Sequence, residues 1–496
     1  LIRKILIANR GEIAVRIIRA CKELGITSAA IYSEADFGAL HTILADESYL
    51  IGPAQSSQSY LNKEKIIKLA KEIKADAIHP GYGFLSENSE FIKLVEQSGI
   101  IFIGPSSKSV EMMGSKTAAR KLMQAHNVPI VPGTTEPIKS ISEGLNFAEQ
   151  IGFPVLLKAS AGGGGKGMRK VFSKDEFDSA FESTKREALK AFGNDDVYIE
   201  KLIENPKHIE VQVIADKSGN YRHLFERECS IQRRHQKIIE ESPSSFLDDK
   251  TREAITEAAI NAAKACNYFN AGTIEFLMDE NKNFYFLEMN TRLQVEHPVT
   301  EFVTGIDLVR EQIMIANGEK ISFQQKDVIQ NGFAIECRIY AEDSTQGFLP
   351  STGKLKLYRE PSGLNVRVDS GVMTDGEISI HYDPMISKLV CWGKSRDEAI
   401  NRSLRALDEY FIGGVSTNIS FLKFILQSED FIAGKHNINL VEQKLLKEFE
   451  NRMIEFTTED DELAAAILSA YLKKSFKLKT QSDNFTTNRW REQLYE

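Results

Sequence analysis

The first hundred residues alternate strand-like and helix-like segments, and that alternation is the strongest constraint on the fold. An apolar run, Lys4–Ala8, leads through a turn into a stretch whose Ile13, Ile17, Cys21 and Leu24 recur at helical spacing. Further strand-like runs follow at Ser28–Tyr32, Ala75–His79 and Ile100–Ile103, with a helix predicted over Lys63–Lys74. Strands that alternate with helices return in the same direction, so this segment is expected to build a parallel sheet with helices on its faces. The first turn, Asn9-Arg10-Gly11-Glu12, lacks the three glycines of a dinucleotide-binding turn, which argues against a nicotinamide or flavin dehydrogenase.

The pattern changes after about residue 113. Shorter strands at Val155–Ser160, Val197–Ile203, His208–Ala215 and Tyr221–Arg227 surround a glycine cluster. Helices are expected at Thr251–Cys266 and Asp307–Ala316, which reads as α+β with an antiparallel sheet. A third unit opens at Asn331 with an alternating strand, Gly332–Asp343, and closes with a helix over about Arg396–Phe411 that Gly413-Gly414 would stop. At 496 residues the chain has room for about three domains. Its net charge of −8 argues against nucleic-acid binding by bulk electrostatics. Five scattered cysteines without a Cys-x-x-Cys fit neither a disulfide framework nor a zinc site and point to a reducing compartment. The longest apolar stretch, Leu463–Leu472, is far shorter than the ~20 residues of a membrane span. The start of the sequence is too short to read as a signal peptide, so a cytoplasmic protein away from membranes is expected.

Six segments carry candidate chemistry. Lys158-Ala-Ser-Ala-Gly-Gly-Gly-Gly-Lys166-Gly167 follows a strand, and its glycines can turn backbone N–H groups toward a phosphate between two lysines. The alternative is a flexible hairpin with solvated lysines. Ala271–Met278 and Asn283–Asn290 read as a hairpin turning at Asp279–Lys282, which sets Glu275 opposite Glu288. Two carboxylates across a ladder repel, and oxygen-only ligation suits magnesium or manganese; otherwise both glutamates splay into water. Glu288, Asn290 and Arg292 share a face at two-residue spacing. The cluster Arg292-Leu-Gln294-Val295-Glu296-His297-Pro298 follows directly. The basic run Cys229–Lys237 interleaves Gln232, His235 and Lys237 and calls for anionic company, unless it is a solvated face. His79-Pro-Gly-Tyr82-Gly83-Phe-Leu-Ser-Glu87-Asn88 is a turn-rich segment after a strand. On the strand Gly332–Asp343 the even positions Glu336, Arg338, Tyr340 and Glu342 are polar, which puts Arg338 on the wetter face, as a functional group or a salt-bridged surface arginine.

In this order, from about Lys4 to Lys447, these segments resemble biotin carboxylase, a member of the ATP-grasp superfamily. The resemblance runs through Ile5-Leu-Ile-Ala-Asn-Arg-Gly-Glu-Ile-Ala14, His79–Asn88, Gly162–Gly167, Gln232–Lys237 and Glu288-Met-Asn-Thr-Arg-Leu-Gln-Val-Glu-His297. It implies an α/β and α+β multidomain fold: an N-terminal parallel α/β domain over 1–113 and an ATP-grasp domain over 114–330 with a mobile glycine-rich lid at about 131–203. A C-terminal mixed α+β domain over 331–445 and a helical extension over 446–496 complete it.

The resemblance further implies that Lys116, Lys158 and His208 reach the phosphates of ATP under the loop Gly163, Gly164, Gly165, Lys166 and Gly167. Glu200, Lys201 and Leu202 would border the adenine, with Gln232, His235, Leu277 and Ile438 completing the pocket. Glu275, Glu288 and Asn290 would hold one or two Mg2+ or Mn2+ ions. Lys237, Arg292, Gln294 and Val295 would bind bicarbonate and Glu296 would deprotonate it. Arg338 would stabilise the biotin enolate, with Tyr82 and Gly83 beside the biotin ring.

The activity so implied is ATP-dependent carboxylation of biotin through carboxyphosphate, the first half-reaction of an acetyl- or propionyl-CoA carboxylase. Alternatives are a pyruvate carboxylase subunit, another ATP-grasp ligase such as a carbamoyl-phosphate synthetase half, an inactive nucleotide-binding module, or a structural scaffold. The implied partners are a biotin carboxyl carrier protein, a second copy of the chain, and a carboxyltransferase subunit. Biotin itself is expected on the separate carrier, since none of the ten methionines is followed by lysine, as the family's biotin-attachment turn requires, and no carrier-like segment follows the tail. In that tail, Leu463–Leu472 and Asn488–Tyr495, with Trp490 and Leu494, are amphipathic. They would either pack on the third domain or dock a partner protein.

Overall fold

The computed structural model describes residues 1–134, 136–159, 168–192, 195–455, 467, 469 and 470; for Lys116, Thr117, Ala191, Phe192 and 453–455 it describes the backbone alone. Five strands, β1 (Lys4–Ile7), β2 (Thr27–Ser33), β3 (Glu47–Gly52), β4 (Ala77–His79) and β5 (Ile101–Phe102), form an all-parallel sheet in the order β3-β2-β1-β4-β5. Both faces are covered, as parallel strands require: Ile5 and Ile7 pack with the helix Gly11–Glu23, and Leu6 and Ala8 with Ile31, Ile66 and Phe91. The edge strand β3 is the one element of this sheet that hydrophobic periodicity misses, because its Glu47, Tyr49 and Leu50 are only partly covered.

A small antiparallel sheet follows, β6 (Val155–Ala159), β7 (Met168–Val171) and β8 (Val197–Lys201), with its own core around Leu157, Phe177, Phe181 and Ile199. The main body is an eight-stranded antiparallel sheet. It holds β9 (Lys207–Ala215), β10 (Tyr221–Arg233), β11 (Gln236–Ser242), β12 (Asn270–Met278), β13 (Phe284–Asn290) and β14 (Phe333–Tyr340), then Met385–Gly393 and Val366–Ser370. Their order is β13-β12-β9-β10-β11-β14 followed by those last two. The sheet therefore runs straight through the position, between 330 and 331, where the third unit was expected to begin. On β9 the sequence alternates cleanly: Ile209, Val211 and Val213 enter the core under the helix Asp249–Ala265, while His208, Glu210 and Gln212 line the opposite face.

Three expectations need correction. The strand Gly332–Asp343 breaks at Ala341, and its even face is not wet: Glu336, Arg338, Tyr340 and Glu342 are all buried. It lies deep in the wide sheet, and the helix His297–Thr304 covers the even face through Val299 and Val303 against Ala334. The helix from Arg396 ends at Asp408 rather than at about Phe411, because Phe411–Gly413 is claimed by a ladder with Leu357–Arg359. Strand β10 continues six residues past Arg227, where it was expected to end, so most of the basic run Cys229–Lys237 lies in the sheet.

The residues from Glu442 onward form a separate unit. A helix over Leu446–Glu455 is described, and Ile467, Ser469 and Ala470 are helical with Ile467 exposed. The rest of the amphipathic stretch Leu463–Leu472, and Trp490 and Leu494, lie outside the described residues. Among the described residues no helix is long and apolar enough to cross a membrane, and all five cysteines are buried thiols.

Candidate active site

The hairpin β12–β13 brings Glu275 opposite Glu288 as the sequence predicts, but through a device that spacing does not reveal. Phe276 pairs with Phe286 while Glu275 pairs with Glu288, so Leu287 is an extra residue in β13. The bulge reverses the parity of the strand. Phe284 and Phe286 enter the core, and beyond Leu287 it is Met289 that does so, which directs Glu288 and Asn290 to the other face. Without the bulge Glu288 would share a face with Phe286.

On the far side of β12, Glu275 is paired with Glu210 of β9, so three carboxylates stand in one row across three strands. Glu288, at the edge, is exposed, whereas Glu210 and Glu275 are buried. Lys237, delivered by β11, supplies the inner pair with a counter-charge: its Nζ donates to Glu210 Oε2 at 2.6 Å, Glu275 Oε1 at 2.9 Å and Glu296 Oε1 at 2.7 Å. The fully buried Arg227 donates to Glu210 Oε1 at 2.6 Å from behind. Burial alone would lower the Lys237 ammonium, but its three carboxylate neighbours outweigh burial and hold it well above the ordinary lysine range.

Glu296 is the junction of the site. It lies at the start of the helix His297–Thr304 and is completely buried. One oxygen accepts from Lys237, and the other from Arg338 Nη2 at 3.0 Å. Burial pushes its carboxyl upward, and Lys237, Arg338 and Arg227 override that and hold it well below the usual carboxylate range. Arg338 also donates from Nε to Glu240 Oε1 at 2.6 Å. Burial outweighs Arg338 at Glu240, whose carboxyl is pushed up to about 7. Four carboxyls, Glu210, Glu240, Glu275 and Glu296, thus share three fixed cations, Lys237, Arg227 and Arg338.

Arg292 is fully engaged. Its Nε donates to Glu87 Oε2 at 2.8 Å, Nη2 to Asn290 Oδ1 at 2.9 Å and Nη1 to Gln294 Oε1 at 2.7 Å. Gln294 in turn donates to Glu275 Oε1 at 3.0 Å, as does Asn290 at 2.8 Å. The Val295 carbonyl accepts from Lys388 Nζ at 2.8 Å. His208 brings Nε2 within 3.1 Å of Glu275 Oε2 and is hydrogen-bonded through Nδ1 to Gln232. Leu277 follows Glu275 on the same face, and Ile438 is tied by its backbone to Pro206 beside β9. Arg234 and His235 are exposed at the tight turn after β10, while Gln232, Arg233 and Lys237 take anionic or polar partners inside.

In the three-stranded sheet Lys158 is ion-paired with Glu200, which also accepts from Arg120 at 2.8 Å. The Lys201 ammonium donates to the Gly152 and Phe153 carbonyls, and the Leu202 amide to Pro154. Lys116 opens a helix capped by Ser115, its side chain outside the described part. Gly163, Gly164, Gly165, Lys166 and Gly167 lie outside the described residues. Tyr82 and Gly83 sit in a loop held by Asn9, whose Nδ2 donates to the Pro80 and Tyr82 carbonyls at 2.6 and 2.7 Å, and Lys388 Nζ is 5.9 Å from the Tyr82 ring centre.

Sequence reasoning missed Glu210, Arg227, Glu240, Glu87 and Lys388. Glu210 carried a signal, since it alternates with His208 and Gln212 along an apolar strand and extends the row of Glu275. Glu87 belongs to the turn-rich motif after β4, but its partner Arg292 is more than two hundred residues away.

Comparison with known proteins gives the family. Residues 1–110 match the biotin carboxylase N-terminal domain, 115–324 the ATP-binding domain of the carbamoyl-phosphate synthase L chain, and 336–443 the biotin carboxylase C-terminal domain. The chain is 52% identical over 469 residues to a pyruvate carboxylase subunit of Methanothermobacter thermautotrophicus, covering 95% of each. It is 52% identical over 443 residues to biotin carboxylase 1 of Bacillus subtilis, covering 89% of this chain and 98% of the relative. Among solved structures, the biotin carboxylase domain dimer of Hydrogenobacter thermophilus 2-oxoglutarate carboxylase, in complex with MgADP, ADP and bicarbonate, aligns with a TM-score of 0.82. It is 48% identical and covers 90% of this chain and 99% of that one. Such identity along almost the whole chain, with three matched domains in the same order around one buried ionic site, shows that the chain belongs to the biotin carboxylase family of ATP-dependent ligases.

Proposed function

We propose that this chain carboxylates biotin, borne on a separate carrier protein, with bicarbonate and MgATP. The observation that carries the reading is Glu296: one buried carboxylate held ionised between Lys237 on the phosphate side and Arg338 on the biotin side. Bicarbonate is a poor nucleophile until a base takes its proton, and an ionised carboxylate is the form that can accept it. Lys237, Arg292, Gln294 and Val295 bind the bicarbonate, linked as they are to Glu275 and Glu296. The deprotonated oxygen attacks the γ-phosphorus of ATP and gives carboxyphosphate and ADP. Lys116, Lys158 and His208 neutralise the phosphates under Gly163–Gly167 and Lys166. Glu200, Lys201 and Leu202 border the adenine, and Gln232, His235, Leu277 and Ile438 complete the nucleotide pocket.

Glu275, Glu288 and Asn290 offer oxygen donors only, a set that suits Mg2+ or Mn2+, and Glu288 lies exposed at the sheet edge where one would approach. The ion supplies charge neutralisation at the phosphate oxygens. Carboxyphosphate then breaks down to CO2 and phosphate, the phosphate takes the ureido proton of biotin, and the N–C bond forms. Arg338 faces the developing enolate oxygen with a charge that does not titrate, beside Tyr82 and Gly83.

The relatives' names include a pyruvate and a 2-oxoglutarate carboxylase, so the expected acyl-CoA acceptor is one candidate among several. The acceptor meets a carboxyltransferase rather than this site. A carrier protein, that carboxyltransferase and a second copy of this chain are the partners proposed, with the division at 1–113, 114–330, 331–445 and 446–496. ATP hydrolysis at fixed magnesium and bicarbonate, with and without free biotin, tests the reading. Biotin-stimulated turnover is expected; turnover indifferent to biotin would reject it in favour of another ATP-grasp ligase, and no turnover in favour of an inactive nucleotide-binding module.

A further inference from the structure

The turn Asn9-Arg10-Gly11-Glu12 holds no group that the chemistry above uses, yet its residues grip elements brought from distant parts of the chain. Asn9 is buried and spends both N–H bonds of its amide on the Pro80 and Tyr82 carbonyls. The fit is close: a Cβ added at Gly81, where φ is +63°, would lie 2.9 Å from Asn9 Nδ2 and 3.0 Å from Ile13 Cγ1. Arg10 forms a two-point pair with Asp36, at 2.7 Å for each bond, and lays its guanidinium 4.3 Å from the centre of the Tyr382 ring. Tyr382 meets the edge of Phe84, the residue after Gly83, with ring centres 6.5 Å apart. The loop it belongs to closes just past the strand of Arg338, where Ala341 donates to the Pro384 carbonyl at 2.9 Å.

Glu12 reaches the fully buried Lys388, its Oε1 at 3.2 Å from Nζ. Lys388 stands directly opposite Arg338 in the ladder and holds the Val295 carbonyl, next to Glu296. The approach of the turn to Gly371 is so tight that a Cβ there would lie 2.5 Å from the Glu12 nitrogen.

We propose that this turn is the positioning element for the biotin half of the site. Asn9 sets the Tyr82–Gly83 loop, Arg10 sets the Tyr382 loop against Phe84, and Glu12 acts through Lys388 on the Val295–Glu296 peptide. The proposal rests on the biotin carboxylase reading above and adds residues that never touch the reacting atoms. A group held two contacts away from the chemistry still matters, because displacement of a reactive group by about 1 Å costs on the order of a hundredfold in rate.

The test is the full chain carrying Asn9→Ala, assayed with free biotin and, separately, for bicarbonate-dependent ATP hydrolysis without biotin. The KM for biotin should rise about tenfold or more while biotin-independent hydrolysis and the KM for MgATP stay within about twofold. Lys388→Met should lower both activities, since it acts beside Glu296, and Lys388→Arg should restore part of each. Equal losses in both assays for Asn9→Ala, or no change in either, would overturn the proposal. If Asn9→Ala does not fold, Arg10→Lys, which keeps the charge but gives up the two-point pair, is judged by the same ratio. Failure of both to fold would assign the turn to stability alone and also overturn it. A wild-type chain whose turnover ignores biotin would instead sink the underlying reading.

Discussion

Ion pairs in the eight-stranded sheet and the outer ones around the three-stranded sheet β6–β8, apart from the shared set at Glu200, are built from the same residue types under opposite conditions. Glu210, Glu275, Glu296 and Arg338 are buried and interlocked with the half-buried Lys237, each charge shared by two or more partners. Lys174–Glu149 and Arg169–Glu187 face water as single pairs. Removing one member of a buried set strands the others in a low-dielectric interior, which costs about 3–5 kcal/mol, whereas single exposed pairs are largely screened. The large sheet therefore accepts a stability risk in holding Glu275 and Glu296 ionised in its interior.

The strongest way to break this contrast is Lys237→Met. It leaves three carboxylates without their common cation and should destabilise the fold by about 3–5 kcal/mol and abolish bicarbonate-dependent ATP hydrolysis. Denaturant unfolding and an ATPase assay check both, and a variant as stable as the wild type would contradict the ionic account. Arg338→Ala should come next. Biotin carboxylation should fall about a hundredfold or more with a smaller loss of ATP hydrolysis, because Arg338 also holds Glu296; normal carboxylation would take the even face of β14 out of the site.

Glu288→Gln sharpens the comparison at the exposed end of the glutamate row. Thermal stability should be unchanged and the magnesium requirement for ATP turnover should rise, measured as activity against Mg2+ concentration; an unaltered curve would refute the metal assignment.

A smaller effect is expected at His436, buried between Glu228 Oε1 at 3.0 Å and Glu241 Oε1 at 3.4 Å and stacked on Phe431. Burial lowers its imidazolium, but Glu228 and Glu241 outweigh burial and raise it above the ordinary histidine value. Its contribution is complete below an unfolded value of about 6.5 and is lost as pH rises through the raised folded value. His436→Gln should thus lower the melting temperature most in acid and least in alkali, and a gap independent of pH would count against the pairing. The smallest effect closes the series: Lys174→Ala, in an exposed pair, should leave the melting temperature and activity where they were.

Much of the molecule was legible because its determinants are local. The two-residue period of strands was enough to mark His208–Ala215 as a strand, and the short turn at Asp279–Lys282 brought Glu275 to within one residue of facing Glu288. The parallel sheet of the first hundred residues followed from strand and helix alternation, and the order of motifs identified the family. What the sequence alone could not decide is whatever depends on strands meeting across long loops. The bulge at Leu287 shows in the register alone, and the wet face expected for Arg338 became an interior once the helix His297–Thr304 closed over it. The pairing of Glu87 with Arg292, and of Lys237 with three carboxylates from three segments, also belongs to the tertiary structure. Side-chain period and turn length act between neighbours in the chain, whereas burial and ion pairing are fixed by which distant surface comes to lie on top.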